Sequence, residues 1–339
     1  MTRVDNSSAV KRTTRDPRSP ATLRFALVVL AVAGILASEP ARPDDWPSRP
    51  VKIIVAFGPG GAADQLGRLL AIELSATFKQ QFFVENKPGS SGSIGSALAA
   101  RADPDGYTLL IAGSGPHLTG PAVNSNIGYD PMRDFTHIAM IGGDGYALAI
   151  NPALGVRSLA ELLTLARHKP LAAASPGPGS LGHLLLEQLN RKANVDIQHI
   201  PSPGGGVTDV VGNHVPMALT ALLTLGEHIH AGTLVALAVA STERIPAFAD
   251  VPTFTELGYP DVRGTTWFWL ASPKELPASI IDKLSREVRR IVQLPRTKQR
   301  FERQSLLAMD LDVGGLNKFL SDELEFWIPL AKDVGLKVE

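Results

Sequence analysis

The chain has 339 residues, with 33 Lys and Arg against 33 Asp and Glu, so its formal charge at neutral pH is zero; 44% of its residues are apolar and 19% charged. That composition fits a soluble globular protein of one large domain or two ordinary ones, and the balanced charge, without a basic run beyond the N-terminus, speaks against nucleic-acid binding. Cysteine is absent, which excludes disulfides, thiol catalysis and cysteine metal sites and suits any compartment.

Residues 1–45 read as a separate object, an N-terminal tail and signal peptide. Lys11, Arg12, Arg15, Arg18 and Arg24 precede the unbroken apolar run FALVVLAVAGILA at 25–37. A basic segment followed by about a dozen apolar residues has the length of a secretory signal rather than of a membrane span. A buried helix would not carry such polar flanks. The cleavage point is not marked, since Ala37 has Ile35 and Ala41 has Glu39 at the minus-three position. Residues 46–339 hold 26 Lys and Arg against 28 Asp and Glu and no later apolar stretch of membrane-spanning length. The expected location, in a Gram-negative source, is the periplasm.

After Trp46, strand and helix signals alternate, the pattern of an α/β protein with largely parallel sheets. VKIIVAF at 51–57 reads as a buried strand, and 65–78 has helical spacing through Leu66, Leu69, Leu70 and Leu74. QFFVEN is a second strand, NKPGSSGSIG a glycine and serine loop, 96–101 a short helix, DPDGY a turn and TLLIAG a third strand. FTHIAMIGG and YALAINP follow as two strand-like stretches. The helix at 158–168 has Ser158 and Glu161 at capping-box spacing. LAAAS is the next strand, PGPGSLGHLLLEQLNRKA a glycine loop entering a helix, and DIQHIP, a second glycine-rich loop and VTDVVGNHV come after it. TLVALAVAS is a strongly apolar strand, and RIPAFADVPTFTELGYP a proline-punctuated connection. In the strand TTWFWLASP, Trp267 and Trp269 share one face and Phe268 takes the other. The helix at 278–292 places Ile280, Ile281, Leu284, Val288 and Ile291 at apolar spacing, and a last helical segment runs near 314–333.

Three glycine-rich loops follow strands, at 57–64, 87–95 and 175–183. Loops at the carboxyl ends of parallel strands are where open α/β sheets bind ligands. The first amides of a helix lack acceptors within it, and the macrodipole adds about half a positive charge there. Carboxylates and phosphates both suit such a place; a tight strand-to-helix turn without a ligand is the plainer alternative. Gly58, Gly60 and Ala63 also fit G-x-G-x-x-A, with Glu85 ending the next strand, the fingerprint of a dinucleotide-binding oxidoreductase. Against that reading, Pro59 removes an amide donor, Asp64 places a negative charge in the first helical turn, and a nicotinamide enzyme is rarely exported. No serine sits in G-x-S-x-G, so no nucleophile elbow is visible. His228 and His230 flank Ile229 without a third ligand at recognisable spacing, which is weak ground for a metal site; no metal or cofactor is expected. For His183, at a helix start, capping and ligand contact are both open.

The order and spacing of WPSRPVKIIVAFGPGGAAD, VENKPGSSGSIGSALAARADPDGYTLL, PGSLGHLLLEQL, RIPAFADVPTFTELGYP and LPASIIDKLSREV resemble the exported substrate-binding proteins of tripartite tricarboxylate transporters, the Bug family. The resemblance runs from Trp46 nearly to the end. It implies a type II periplasmic-binding-protein fold, two α/β lobes joined by a two-segment hinge with a ligand cleft between them. Lobe 1 would be 46–147 with 264–339, and lobe 2 148–263. It also implies a monomeric solute-binding protein, not an enzyme, that captures a small organic carboxylate and meets membrane transporter subunits transiently. A ligand sensor feeding a membrane kinase is the neighbouring reading.

Carried over position by position, the first loop supplies Phe57, Pro59, Gly60, Gly61 and Asp64, and the second Ser90, Ser91, Gly92 and Ser93. Lobe 2 supplies Ser175, Gly179, Ser180 and His183, while Ser114, Pro203, Gly204 and Asp209 complete the binding set. In this family the ligand carboxylate is held by amides through bridging water, in charge-assisted hydrogen bonds stronger than neutral ones. Asp64 would either accept a ligand hydroxyl or ammonium, or sit favourably in the first helical turn, worth about 0.3–1 kcal/mol. The chain departs from the family pattern at Ile200-Pro201-Ser202-Pro203-Gly204, where an aromatic-Lys-Gly run is usual, and at Asn213-His214-Val215-Pro216, where Gly-x-Val-Asp is usual. The missing lysine and aspartate bear on ligand contacts of lobe 2, not on the fold.

Overall fold

Short apolar runs bounded by glycine, proline or polar turn residues become strands, and the amphipathic stretches between them become the helices that cover two sheets. The computed structural model describes residues 46–123 and 127–333, together with Thr2. The basic and apolar stretches read as an export signal lie outside the described residues. The first half runs β1 (Val51–Val55), α1 (Ala62–Phe78), β2 (Phe82–Asn86), α2 (Ser93–Ala100), β3 (Thr108–Gly113), α3 (Gly120–Val123) and β4 (Phe135–Ile150). Next come α4 (Leu159–Ala166), β5 (Leu171–Ser175), α5 (Leu181–Ala193), β6 (Ile197–Pro201), α6 (Val207–Val211), β7 (Met217–Ala221), α7 (Leu222–His230) and β8 (Val235–Val239). β9 (Thr265–Pro273), α8 (Ala278–Gln293), α9 (Pro295–Arg303), β10 (Leu306–Leu307) and α10 (Val313–Asp333) close the described chain.

The first sheet has the order β2-β1-β3-β9-β4, and the second continues it as β4-β7-β5-β6, with β8 also on β4. Within each sheet the neighbours β1, β2 and β3, or β5, β6 and β7, are parallel, but one strand is inserted antiparallel. β9 is the inserted strand of the first sheet, between β3 and β4. The end of β4, from Tyr146 to Ile150, is the inserted strand of the second, between β7 and β8. Each sheet therefore borrows a strand from chain that arrives from the other. The largely parallel sheets expected from the alternation of elements carry this correction, and the two-lobed arrangement implied by the resemblance is the result.

β4 is one strand where two stretches were expected. It pairs with β9 from Phe135 to Gly145 and with β7 and β8 from Tyr146 onward. The glycines between the stretches read as a break, yet they serve close packing. A Cβ on Gly143 would stand 2.5 Å from the ring of Trp267, so only glycine lets the strand pass there. β7, α7 and α9 were not foreseen: PMALTA begins with proline and is short, and PRTKQRFER is almost wholly polar. α1 starts at Ala62, ahead of the expected Gln65, because Gly61 takes an extended conformation and caps it.

Alternation along β1 sends Val51, Ile53 and Val55 to one face, where Leu66, Leu70 and Leu74 of α1 and Ile280, Leu284, Val288 and Ile291 of α8 cover them. Ile54 faces the other way, into a core shared with Trp269 and with Leu316, Leu320 and Trp327 of α10. Each such side chain, fully buried, is worth about 1.5–3 kcal/mol. Trp269 is wholly buried and its Nε1 donates to His137 Nδ1 at 2.9 Å, while Trp267 meets the Phe319 ring edge-on at 5.6 Å. The tryptophan face of β9 is thus a packing face.

α5 lies so close to β7 that a Cβ on Gly182 would stand 2.2 Å from the Leu219 carbonyl oxygen. Backbone cannot yield as a side-chain tip can. Gly182→Ala is expected to cost about 1–3 kcal/mol as an overpacking change, lowering the melting temperature by several degrees. Gly58→Ala, whose Cβ meets nothing within 4 Å, should leave it unchanged in the same thermal melt.

Candidate ligand-binding site

A cavity of about 480 Å³ opens at the carboxyl ends of the parallel strands of both sheets. It is lined from the first sheet by Phe57, Pro59 and Gly61 after β1, Ser91 after β2 and Gly115 after β3. From the second sheet come Pro176, Ser180 and Leu181 after β5, Gly204 after β6, and Ala221 and Thr224 at β7 and α7. The crossing strands supply the floor, Asp144 and Tyr146 of β4 and Thr266 and Phe268 of β9. Each pair is separated by one residue, as period-two alternation requires. Phe268 is therefore the aromatic of TTWFWLASP that faces the cleft.

Of the residues expected from the sequence, Phe57, Pro59, Gly61, Ser91, Ser180 and Gly204 line this cavity. The other residues of that set are not part of its lining. Asp64 is buried and its oxygens are taken: Oδ1 accepts from Asn86 Nδ2 at 2.9 Å, and Oδ2 from the Gly60 amide at 3.0 Å and Arg68 Nε at 2.9 Å. Burial opposes its charge, but these hydrogen bonds outweigh it and hold the carboxyl below its ordinary range. The structural partner of Asp64 is thus the loop whose amides it orders. Ser114 Oγ accepts from the Trp267 amide at 2.8 Å, tying β9 to the end of β3. Glu85, the acid of the dinucleotide fingerprint, is paired with Lys52 at 3.2 Å and Lys87 at 2.7 Å.

The loop before α2 is held in an uncommon shape. Ser90, Ser91 and Gly92 have φ of 45, 51 and 95°, a left-handed run that non-glycine residues adopt rarely and that clusters at functional sites. Gly92 packs under the Phe57 ring, and Ser93 opens α2 with its amide on the Ser90 carbonyl. At the departure point in the second sheet, Pro203 opens a tight turn in which Gly204, Gly205 and Gly206 all have positive φ. Ser202 Oγ donates to Asp209 Oδ2 at 2.6 Å, so Asp209 of α6 braces that turn from behind.

Ser175, Gly179, Ser180 and His183 form one network beneath the cavity wall. Ser180 caps α5, its Oγ accepting from the His183 amide at 3.4 Å, and the Gly179 amide donates to His183 Nδ1 at 3.2 Å. Ser175 Oγ lies 3.2 Å from Ser180 Oγ and 2.7 Å from His199 Nε2. The His183 and His199 rings are stacked at 3.8 Å. Burial, then the neighbouring His199, pushes His183 down to about 4, and burial lowers His199 as well. Both are neutral at pH 7, so the 3.7 Å approach of Glu187 to His183 is a polar contact rather than an ion pair. Elsewhere His228 lies by Thr233 and His230 stacks on Phe248. Among the described residues no three His, Cys, Asp or Glu converge to hold a metal ion.

The sequence reading missed Asp144. Its signal was a single charge inside a sixteen-residue, otherwise uncharged β4 apart from His137. The Leu222 and Leu223 amides at the start of α7 donate to it, the latter to Oδ1 at 3.2 Å, while Oδ2 has no hydrogen-bond partner. Burial pushes its carboxyl up to about 8.

The histidine stack has a consequence for stability. Because the folded pKa values lie below the unfolded value of about 6.5, the unfolded state binds more protons between there and about pH 4, and stability falls as pH drops through that window. His199→Gln should flatten this part of the melting-temperature profile; a slope between pH 7 and 4.5 equal to that of the parent would show the pair is not its source.

A family model described as the tripartite tricarboxylate transporter family receptor matches residues 66–336. BugT of Bordetella pertussis is 33% identical over 317 residues, which span 92% of this chain and 97% of BugT. Among solved structures, R. palustris Rpa4515 with adipate is 29% identical, with a TM-score of 0.82 over 86% of this chain and 99% of that one. MatC from Rhodopseudomonas palustris with bound malate is 26% identical, with a TM-score of 0.78 over 84% of this chain and 100% of that one. The chain belongs to the tripartite tricarboxylate transporter receptor family, the Bug solute-binding proteins.

Proposed function

We propose that this chain is a periplasmic receptor that captures a small organic carboxylate between its lobes and presents it to the membrane subunits of a tripartite transporter, without catalytic activity of its own. The observation that carries the reading is the convergence of loops from both sheets on one cavity of about 480 Å³, a volume suited to a small molecule. Gly61 and the first amides of α1, the left-handed serine loop and the Ser180 end of α5 are the proposed carboxylate-holding groups. The lining contains no histidine, lysine or arginine, so an anion there meets main-chain dipoles rather than a cation. In this reading lobe 1 is 46–147 with 264–339 and lobe 2 is 148–263, a division supported by the change of β4 partners after Gly145. Adipate and malate in relatives of the same fold support the ligand class. The apolar run at 25–37 supports export, and among the described residues no helix is long and apolar enough to cross a membrane. Ligand contacts from both lobes favour the shut state, which is what closure on a ligand requires.

A thermal-shift screen of di-, tri- and aromatic carboxylates is expected to find at least one that stabilises the protein, by about 2.7 kcal/mol at a hundredfold excess over its Kd. A screen in which none moves the melting temperature would sink the proposal. The role of the amides is checked separately by Gly61→Pro. Residue 61 already has φ −73° and space for a side chain, so proline fits while deleting the amide. Titration calorimetry with the screened carboxylate should show affinity reduced at least tenfold with the melting temperature of the free protein unchanged.

A further inference from the structure

Among the described residues Asp144 is the one acid lining the cavity, and none of them hydrogen-bonds its second oxygen. The residue is fully buried, lines the cavity, and has Oδ1 engaged by the start of α7 while Oδ2 is unpartnered. Buried polar atoms are nearly always hydrogen-bonded, and leaving one without a partner is costly. Packed against it are Thr266 of β9, Leu306 of β10 and Leu222 and Leu223 of α7, none of them ionisable, and Tyr146 lies two residues on. No lysine or arginine lines the cavity. A cation facing Asp144 must therefore arrive with the ligand.

Resting on the carboxylate-receptor reading, we propose that Asp144 is the specificity-determining residue for a ligand that carries an ammonium group as well as a carboxylate. The carboxylate goes to the amide-rich loops and the ammonium donates to Asp144 Oδ2. As Asp144 ionises, the ammonium offsets the charge that forms on it, so the ligand carboxylate at the loops is the one negative charge left without a counter-charge, whereas a plain dicarboxylate brings two and no cation. The empty protein keeps Asp144 protonated near neutral pH because burial raises its carboxyl to about 8. An ammonium at Oδ2 favours the ionised form, so the proton leaves to solvent as the ion pair forms. Asp64, the other acid considered for this duty, has both oxygens occupied within its own loop.

The test uses the full chain and three matched pairs as probes: aspartate with succinate, glutamate with glutarate, and phenylalanine with 3-phenylpropionate. In at least one pair the amino member should bind at least tenfold more tightly. That preference should vanish in Asp144→Asn, which keeps an acceptor for the α7 amides, while the des-amino acid binds parent and variant alike. Calorimetry of the parent at pH 6.5 in phosphate and in Tris should show about one proton released with the amino member and none with its partner, a readout that does not depend on the variant folding. A preference below tenfold, one that survives Asp144→Asn, or proton uptake on binding overturns the assignment while leaving the carboxylate reading intact. Failure of all six acids to bind overturns the assignment, and the carboxylate reading falls with it where the wider thermal-shift screen is blank as well.

Discussion

One strand holds the two halves of the molecule in register. The amides and carbonyls of β4 must be paired along its length, because unpaired main-chain groups in an apolar interior are costly. Nine of the eleven residues from Phe135 to Gly145 find partners in β9, Ile138 and Ile141 falling at irregularities in the register, and the last five find theirs in β7 and β8. Neither sheet can form fully unless β4 is shared between them. The return crossing is fastened to the same point: the Ala240 amide donates to the Tyr146 carbonyl at 2.8 Å, and the Gly264 amide to the Ala240 carbonyl at 2.8 Å. The two connections that a hinge needs are thus adjacent and hydrogen-bonded to one another. The cleft lies where it does because the carboxyl ends of both parallel strand sets are turned toward this junction.

From that junction follows, in the proposed reading, an economical way of handling an anion. The cleft recruits helix starts, whose first amides are unpaired in any case, and places beside them proline, alanine and phenylalanine rather than basic side chains. Fixed dipoles in an apolar wall need no reorganisation when the ligand arrives. The side chains that the sequence suggested as ligand contacts are largely spent on holding these dipoles still: Asp64 clamps the Gly60 amide, Ser180 caps α5, and Asp209 braces the glycine turn through Ser202. Amides recognise a carboxylate of any skeleton. In the proposed reading, discrimination among skeletons falls to the floor of the cleft, which β4 and β9 build.

This division explains what the sequence disclosed. Elements with a strong period were legible: of the five apolar positions expected in α8, those at 280, 284, 288 and 291 are buried and Ile281 is half-buried, and the alternation in β1 and β9 matches their two faces. The glycine-rich loops were legible too, because a strand followed by glycine and a helix start is a local pattern. What could not be read depends on register between distant strands. Nothing near Gly142 to Gly145 announces that one strand continues through them, since the reason is the Trp267 ring arriving from β9 more than a hundred residues later. Asp144 escaped notice for the same cause. β7 and α7 are short, and packing from α5 and β4 rather than local propensity makes them.

An acid buried at the crossing also bears on how closure is driven. A group that is desolvated without a full set of partners raises the free energy of the empty, shut cleft, while leaving an open cleft with water at the same oxygen unpenalised. A ligand that completes the set removes the penalty only in the shut form. The difference between the two states then grows by the cost that the ligand cancels, and that difference is what moves the equilibrium. Contacts made only to one lobe cannot supply it, because they persist when the lobes part. Asp144 stands on the strand common to both sheets, with α7 on one side and β9 on the other, and in the proposed role its second oxygen regains water when those walls part. In the proposed role the same residue that selects the ligand also makes the empty cleft reluctant to close.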